Sequence, residues 1–294
     1  MYWIGTFLGL DQYDETRDEW ASNSPDKSRL LDSAVRMIVE GLDSRLLAIG
    51  SGTSPRGKSN VYVFDGDRWS QDARLVPHLK HGVRAVFSDR DGELWFANQD
   101  KLLKQDGQRW TTFRPPLEML CFVQSGIQDR EGYIWLGTSK AIVRFDPDKQ
   151  EWRKYPLSPL SFVTSIYEDR QGRIWFSDKE GNCYVHDKGR NSWTHHNLLD
   201  RLPPGPAPPS GKRTLSRTLA FMRIGVNAIY QDTAGQIMFA TDRGLLTFLE
   251  SENRWELFTP ENSGLPSERI LCITESRDGR IWMGTGNGIV VLDR

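Results

Sequence analysis

Five histidines, His78, His81, His186, His195 and His196, are the side chains best suited to acid–base chemistry near neutral pH. A general base needs a second group placed beside it, yet the chain contains no His-x-Glu or Glu-x-His pairing. Three cysteines, Cys121, Cys183 and Cys272, are too few and too scattered for a disulfide framework or a CxxC metal site. Asp89-Arg90-Asp91-Gly92 opens like a calcium loop, but the remaining ligand positions are absent, so a hairpin turn is expected there. GxGxxG, GxSxG and HExxH do not occur. No catalytic residue, metal site or cofactor is therefore expected. The polar residues that vary from place to place are a different matter. Asn98, Lys140, Asp178, Lys179, Asp242, Arg243 and Asn287 follow successive apolar-aromatic runs. Mixed donors and acceptors of this kind can hold a small polar ligand such as a glycan fragment, or can be ordinary solvated turns.

Charge narrows the partners. With 38 Lys+Arg against 39 Asp+Glu, the formal charge of −1 removes the electrostatic footprint of a nucleic-acid binder. No run of about 18 apolar residues is present, so no membrane span is expected. The opening MYWIGTFLGLDQYDE lacks the basic, apolar and cleavage regions of a secretory signal.

What positions the candidates is a repeat. Runs of the type IWxGT stand at 2–6, 47–51, 94–98, 134–138, 174–178, 237–241 and 281–285, at steps of 40 to 47 residues with one of 63. That is the period of four-stranded propeller blades. Upstream of most lies an alternating β-branched and aromatic run such as VTSIYED (163–169), which reads as strand A. A turn of the form DxxG joins it to IWxGT, strand B, because Asp bonds its own backbone and Gly supplies a positive φ. A short loop then leads to an apolar strand C. Trp20, Trp69, Trp110, Trp152, Trp193 and Trp255 open strand D in six units. Small residues, Ala85, Ser125, Ser165, Ala228 and Cys272, stand in the middle of strand A, with Met37 the exception. Inner strands of radially arranged sheets have least room, so small side chains fit there.

The expected fold is an all-β, seven-bladed β-propeller of four-stranded antiparallel blades, the first and last incomplete. Its units run roughly 1–33, 34–81, 82–121, 122–161, 162–224, 225–268 and 269–294, as one domain over 1–294. The chain enters at a B strand and leaves after a C strand. Two explanations fit: three-stranded end blades, or a slice of a longer protein. Both predict exposed strand edges at the seam. The stretch 28–40 is expected as loop running into a degenerate strand A. The insertion 201–223, with five prolines, five basic residues and no acid, is expected to be extended, either as a tolerated surface loop or as a partner-binding arm.

The unit, quoted by QDREGYIWLGTSKAIVRFDPDKQEW (128–152) and ESRDGRIWMGTGNGIVVLDR (275–294), resembles the two-component regulator propeller repeat found in the sensing regions of bacterial hybrid histidine kinases. Unit two departs most, with Ala48 for Trp and the insertion GTSPRGKSN. The resemblance implies a periplasmic or extracytoplasmic, non-catalytic sensor of a bacterial signalling system that binds a polar ligand and signals to a histidine kinase region. A protein–protein scaffold is the alternative. A rival from another class is the streptogramin B lyase, a propeller that uses histidines and a glutamate with magnesium. Units six and seven contain no histidine, which disfavours it.

Overall fold

A computed structural model describes residues 2–6, 9–23, 34–41, 45–50, 61–66, 68–71, 75, 78–79, 83–98, 100–116, 119–156, 162–202, 224–276 and 278–292. The fold is an all-β seven-bladed propeller in which five blades have four strands and the first and last have three. The only helical elements described are two short 3-10 turns, Leu198–Arg201 and Glu250–Glu252. The chain divides into two compact units, 1–128 and 129–294.

The first unit begins with a blade of β1 (Tyr2–Thr6), β2 (Gly9–Asp14) and β3 (Glu19–Asn23). The second blade comprises β4 (Val35–Glu40), β5 (Leu46–Gly50), β6 (Val61–Phe64) and β7 (Trp69–Ser70). The third is β8 (Ala85–Ser88), β9 (Leu94–Ala97), β10 (Leu102–Asp106) and β11 (Arg109–Phe113), and β12 (Ser125–Gln128) ends the unit. The degenerate strand A is thus real as β4, while 24–33 lie outside the described residues.

The second unit holds β13 (Ile134–Gly137), β14 (Ile142–Asp146) and β15 (Glu151–Tyr155) of the fourth blade, whose sheet order is β12-β13-β14-β15. The fifth blade is β16 (Val163–Glu168), β17 (Ile174–Asp178), β18 (Asn182–Asp187) and β19 (Ser192–Asn197). The sixth is β20 (Val226–Gln231), β21 (Ile237–Thr241), β22 (Gly244–Leu249) and β23 (Arg254–Phe258). The last is β24 (Ile270–Glu275), β25 (Ile281–Thr285) and β26 (Gly288–Leu292). The Pro-rich residues 203–223 and the insertion 52–60 lie outside the described residues.

The repeat signature has a physical reading in the third, fourth and fifth blades. Asp129 is buried and its Oδ1 accepts the N–H groups of Glu131 and Tyr133, both at 3.0 Å, closing the DxxG turn. Its Oδ2 accepts the indole N–H of Trp135 at 2.8 Å. Asp89 with Trp95 (2.9 Å) and Asp169 with Trp175 (2.7 Å) repeat the bond. The six-residue step from turn to indole is thus a hydrogen bond as well as a hairpin, and it satisfies the one polar atom of Trp95, Trp135 and Trp175. Gly132, at φ +90°, makes the left-handed step that the turn demands.

The two tryptophans of a blade point to opposite neighbours. Trp135 packs forward on Phe176 and His186 of the fifth blade, both at 5.4 Å between ring centroids. Trp193 packs backward on Tyr155 of the fourth blade at 5.2 Å. Across the next interface Trp175 packs forward on Phe239 and Phe248 of the sixth blade, and Trp255 packs backward on His196 of the fifth. Each such interface therefore holds one indole from either side, and the core lies between blades rather than under one sheet. Strand A begins with a register shift at Val35/Met37, Val163/Ser165, Val226/Ala228 and Ile270/Cys272. The mid-strand small residues sit just past this bulge.

Candidate functional site

The seven candidates separate into two kinds. Asn98 and Asp178 are buried anchors of their own turns. Asn98 Oδ1 accepts the N–H groups of Asp100 (3.1 Å) and Lys101 (3.0 Å). Asp178 Oδ1 accepts those of Glu180 (2.8 Å) and Asn182 (2.9 Å), and its Oδ2 accepts Asn182 Nδ2 at 2.8 Å. The final Thr of IWxGT performs this task elsewhere. Thr138 Oγ1 accepts the N–H groups of Lys140 (3.2 Å) and Ala141 (3.0 Å) and donates to the Ala141 carbonyl at 2.8 Å. Thr241 and Thr285 donate to the carbonyls of Gly244 (2.7 Å) and Gly288 (2.8 Å) and accept the N–H groups of Arg243 and Asn287. A short polar side chain at the end of strand B thus closes every one of these turns.

The other five candidates, all in the second unit, ride on turns closed by those anchors. Lys140, Lys179, Asp242 and Asn287 are exposed, and Arg243 is half-buried. The structure brings Asp242 together with residues that the sequence did not single out. Its Oδ1 lies 3.3 Å from Arg269 Nε and accepts Asn227 Nδ2 at 3.1 Å. Asn227 also donates to the Ile270 carbonyl at 2.8 Å, tying the strand A bulge of the sixth blade to that of the last. Asn287 Nδ2 donates to the Pro266 carbonyl at 3.1 Å. Strand-B turns and the loops entering strand A therefore share one face of this unit. Lys140 and Lys179 belong to the turns of the fourth and fifth blades, and among the described residues no hydrogen bond ties their side chains to the Asp242 group.

Phe162 is the second addition. It is 44% exposed, its φ is +44°, and its N–H donates to the Ser139 carbonyl at 3.4 Å, beside Lys140. In the first unit Phe122 repeats the arrangement at φ +48°, with the Arg84 guanidinium 5.6 Å above its ring. An exposed aromatic in the left-handed region is costly on two counts, and such strain collects at recognition sites. The signal in the sequence was a Phe just before Val at the start of strand A, at 122–123 and 162–163.

The histidines are structural where they are described. His195 stacks on Tyr184 at 4.4 Å and its Nε2 lies 3.0 Å from Asn182 Oδ1. His196 packs on Trp175, Phe248 and Trp255, and burial, helped by Arg201, holds its pKa below the usual histidine value. His186 is buried beside Trp135 and Trp193, and burial lowers its pKa too. His78 stacks on Trp110, and His81 lies outside the described residues. Among the described residues, no three His, Cys, Asp or Glu side chains converge as metal ligands. No described helix is long and apolar enough to cross a membrane.

Residues 157–185 and 264–287 match the family described as two component regulator propeller, so the resemblance carried by the repeat unit holds. Among curated proteins, none matches the chain by sequence. The extracellular domain of BT4673 from B. thetaiotaomicron, described as a one component or hybrid two component system, superposes with a TM-score of 0.71 at 20% identity over 99% of this chain and 37% of that one. The chain thus spans little more than a third of that ectodomain. A catalytically inactive virginiamycin B lyase from Staphylococcus aureus, with quinupristin, superposes at 0.69 and 11% identity over 96% of this chain and 86% of that one. YCF48 bound to D1 peptide superposes at 0.58 and 13% identity, covering 87% and 77%. At these identities the likeness is one of fold.

Proposed function

We propose that this chain, whose repeats match the two component regulator propeller, is a non-catalytic ligand-sensing domain of a bacterial two-component signalling system. It reads a polar ligand, such as a glycan fragment, on its strand-B turns and strand-A entry loops, on the extracytoplasmic side. The observation that carries this reading is the division of labour on that face. Anchors hidden at the strand ends close the turns, so the turns do not depend on the side chains of Lys140, Lys179, Asp242, Arg243 and Asn287, of which Asp242 and Asn287 also bond neighbouring loops. Phe162 adds an apolar ring beside Lys140, and rings next to charged or amide groups suit the face and the hydroxyls of a sugar. Occupancy would be passed to a histidine kinase region as a shift between states of the propeller.

A thermal-shift series with neutral, acidic and amino sugars and their short oligomers tests the reading. A ligand that binds only the folded protein at about a hundredfold its Kd raises stability by about 2.7 kcal/mol. Lys179→Glu and Arg243→Glu should each weaken that response at unchanged intrinsic Tm. If no polar small molecule moves the Tm while a protein partner is retained on a column, the domain is an interaction scaffold instead. Turnover of a depsipeptide in the presence of magnesium would make it an enzyme.

A further inference from the structure

The register shift at the head of strand A passes over one residue per blade: Arg36 in the second, Thr164 in the fifth and Asn227 in the sixth. Each of these side chains bonds a backbone carbonyl of the next blade. Thr164 Oγ1 donates to Val226, Asn227 Nδ2 to Ile270 at 2.8 Å, and Arg36 Nη2 to Arg84. A short neutral donor therefore suffices for the link between blades, and the arginine needs only one of its five N–H groups for it. Arg84 takes the corresponding place in the third blade, where its N–H donates to the Ala97 carbonyl at 2.9 Å. Its guanidinium lies 5.6 Å from the ring centroid of Phe122. All three residues belong to the first unit. Among the described residues, no carboxylate pairs with either guanidinium. Arg36 is exposed and Arg84 half-buried. Protein packed around the Arg36 guanidinium desolvates it, and the like charge of Arg84 adds to this, so its pKa is held below the usual arginine value. Beside the pair, Phe122 is 46% exposed at φ +48°.

We propose that Arg36, Arg84 and Phe122 form a binding site for a small molecule that carries a carboxylate on a ring with an apolar face. Two guanidiniums held close without a counter-charge repel each other, and a carboxylate between them relieves that repulsion. Their planar N–H groups match the two oxygens of such a group, which an ammonium would not do. The ligand's ring then lies against the exposed part of Phe122, which gives the left-handed strain at that residue a purpose. A sugar acid and an aromatic acid share this chemistry. The site is built by the first unit alone, so it does not depend on Lys179 and Arg243 of the second.

Calorimetric titration of the full chain with sodium glucuronate and with sodium benzoate tests the site, with glucose and inorganic sulfate as controls. At least one of the two ring acids should bind at least about tenfold more tightly than either control, and which one binds tells a sugar from an aromatic ring. Its affinity should fall by about tenfold between about 20 and 500 mM NaCl. Arg36→Gln and Arg84→Gln should each weaken it by about tenfold or more. The Tm should hold in both, because glutamine keeps a neutral donor at 36, as Asn227 does in the sixth blade. Phe122→Ala should weaken the ring acid and leave sulfate unchanged. Where a glutamine variant does not fold, the salt series and Phe122→Ala decide. The proposal is overturned if neither acid outbinds glucose, if sulfate binds as tightly as the better acid, or if the affinity survives salt and the glutamine variants. A fall in Tm in those variants with no acid bound by the parent would overturn it too, in favour of a purely structural pair.

Discussion

Single side chains settle how each repeat is held, and the buried turn aspartates do the most. Asp129 satisfies two backbone N–H groups and one indole, and Lys188 Nζ lies 3.2 Å from its Oδ2. Burial works against the Lys188 charge, but Glu168 and Asp129 outweigh it and hold the pKa above the usual lysine value. Asp129→Ala removes every one of these acceptors at once, so it should cost about 3–5 kcal/mol in a denaturant melt. His186 illustrates the opposite case. It stands where neighbouring blades carry Phe145 and Phe248, and burial, with Arg144 and Lys188 nearby, lowers its pKa. The unfolded chain therefore takes up a proton below about pH 6.5 that the folded chain resists. This contribution to stability is present above that pH and is lost as the pH falls toward the lower folded value. His186→Phe should stabilise the protein by about 1 kcal/mol at pH 5 to 6 and reduce the fall in Tm between pH 7.5 and 5.

At the scale of strands and turns, much was legible. Strand identity, the order within each blade, the hairpin glycines and the three-stranded end blades follow from the alternation, the DxxG step and the spacing of the tryptophans. The indole bond of the turn aspartates was not legible, because spacing alone does not say which atom of a repeated residue faces which neighbour. The site was readable only in part. Asn98 and Asp178 look like loop polar residues in the sequence, yet they stand at the strand ends where Thr138, Thr241 and Thr285 close turns. Asn227, Arg269 and Phe162 were missed because they belong to strand A or its entry loop, and only the fold sets those beside the strand-B turns. Gly244 gives this scale its own prediction. It follows the turn at φ +121°, and a Cβ there would run into the Phe258 carbonyl of β23. Gly244→Ala should destabilise by about 2–4 kcal/mol in a thermal melt, since neither the backbone nor the neighbouring strand can yield cheaply.

For the molecule as a whole, stability and recognition draw on different residues. Trp135, Trp175, Trp193 and Trp255 bind blade to blade inside the second unit, and none belongs to the turns that carry the charged candidates. Phe162 is where the two demands meet. Phe162→Gly relieves the left-handed strain and should raise the Tm by about 2–4 °C while abolishing the response to a saccharide ligand, a trade expected of a residue kept for binding. The hydroxyl or carboxylate that closes each turn belongs to the strand, so the side chains at 140, 179 and 243 are released from closing it. A lineage carrying this framework is thus free to revise what it detects without relearning how to fold, and a library randomised at those positions would inherit the parent's solubility while exploring new specificities.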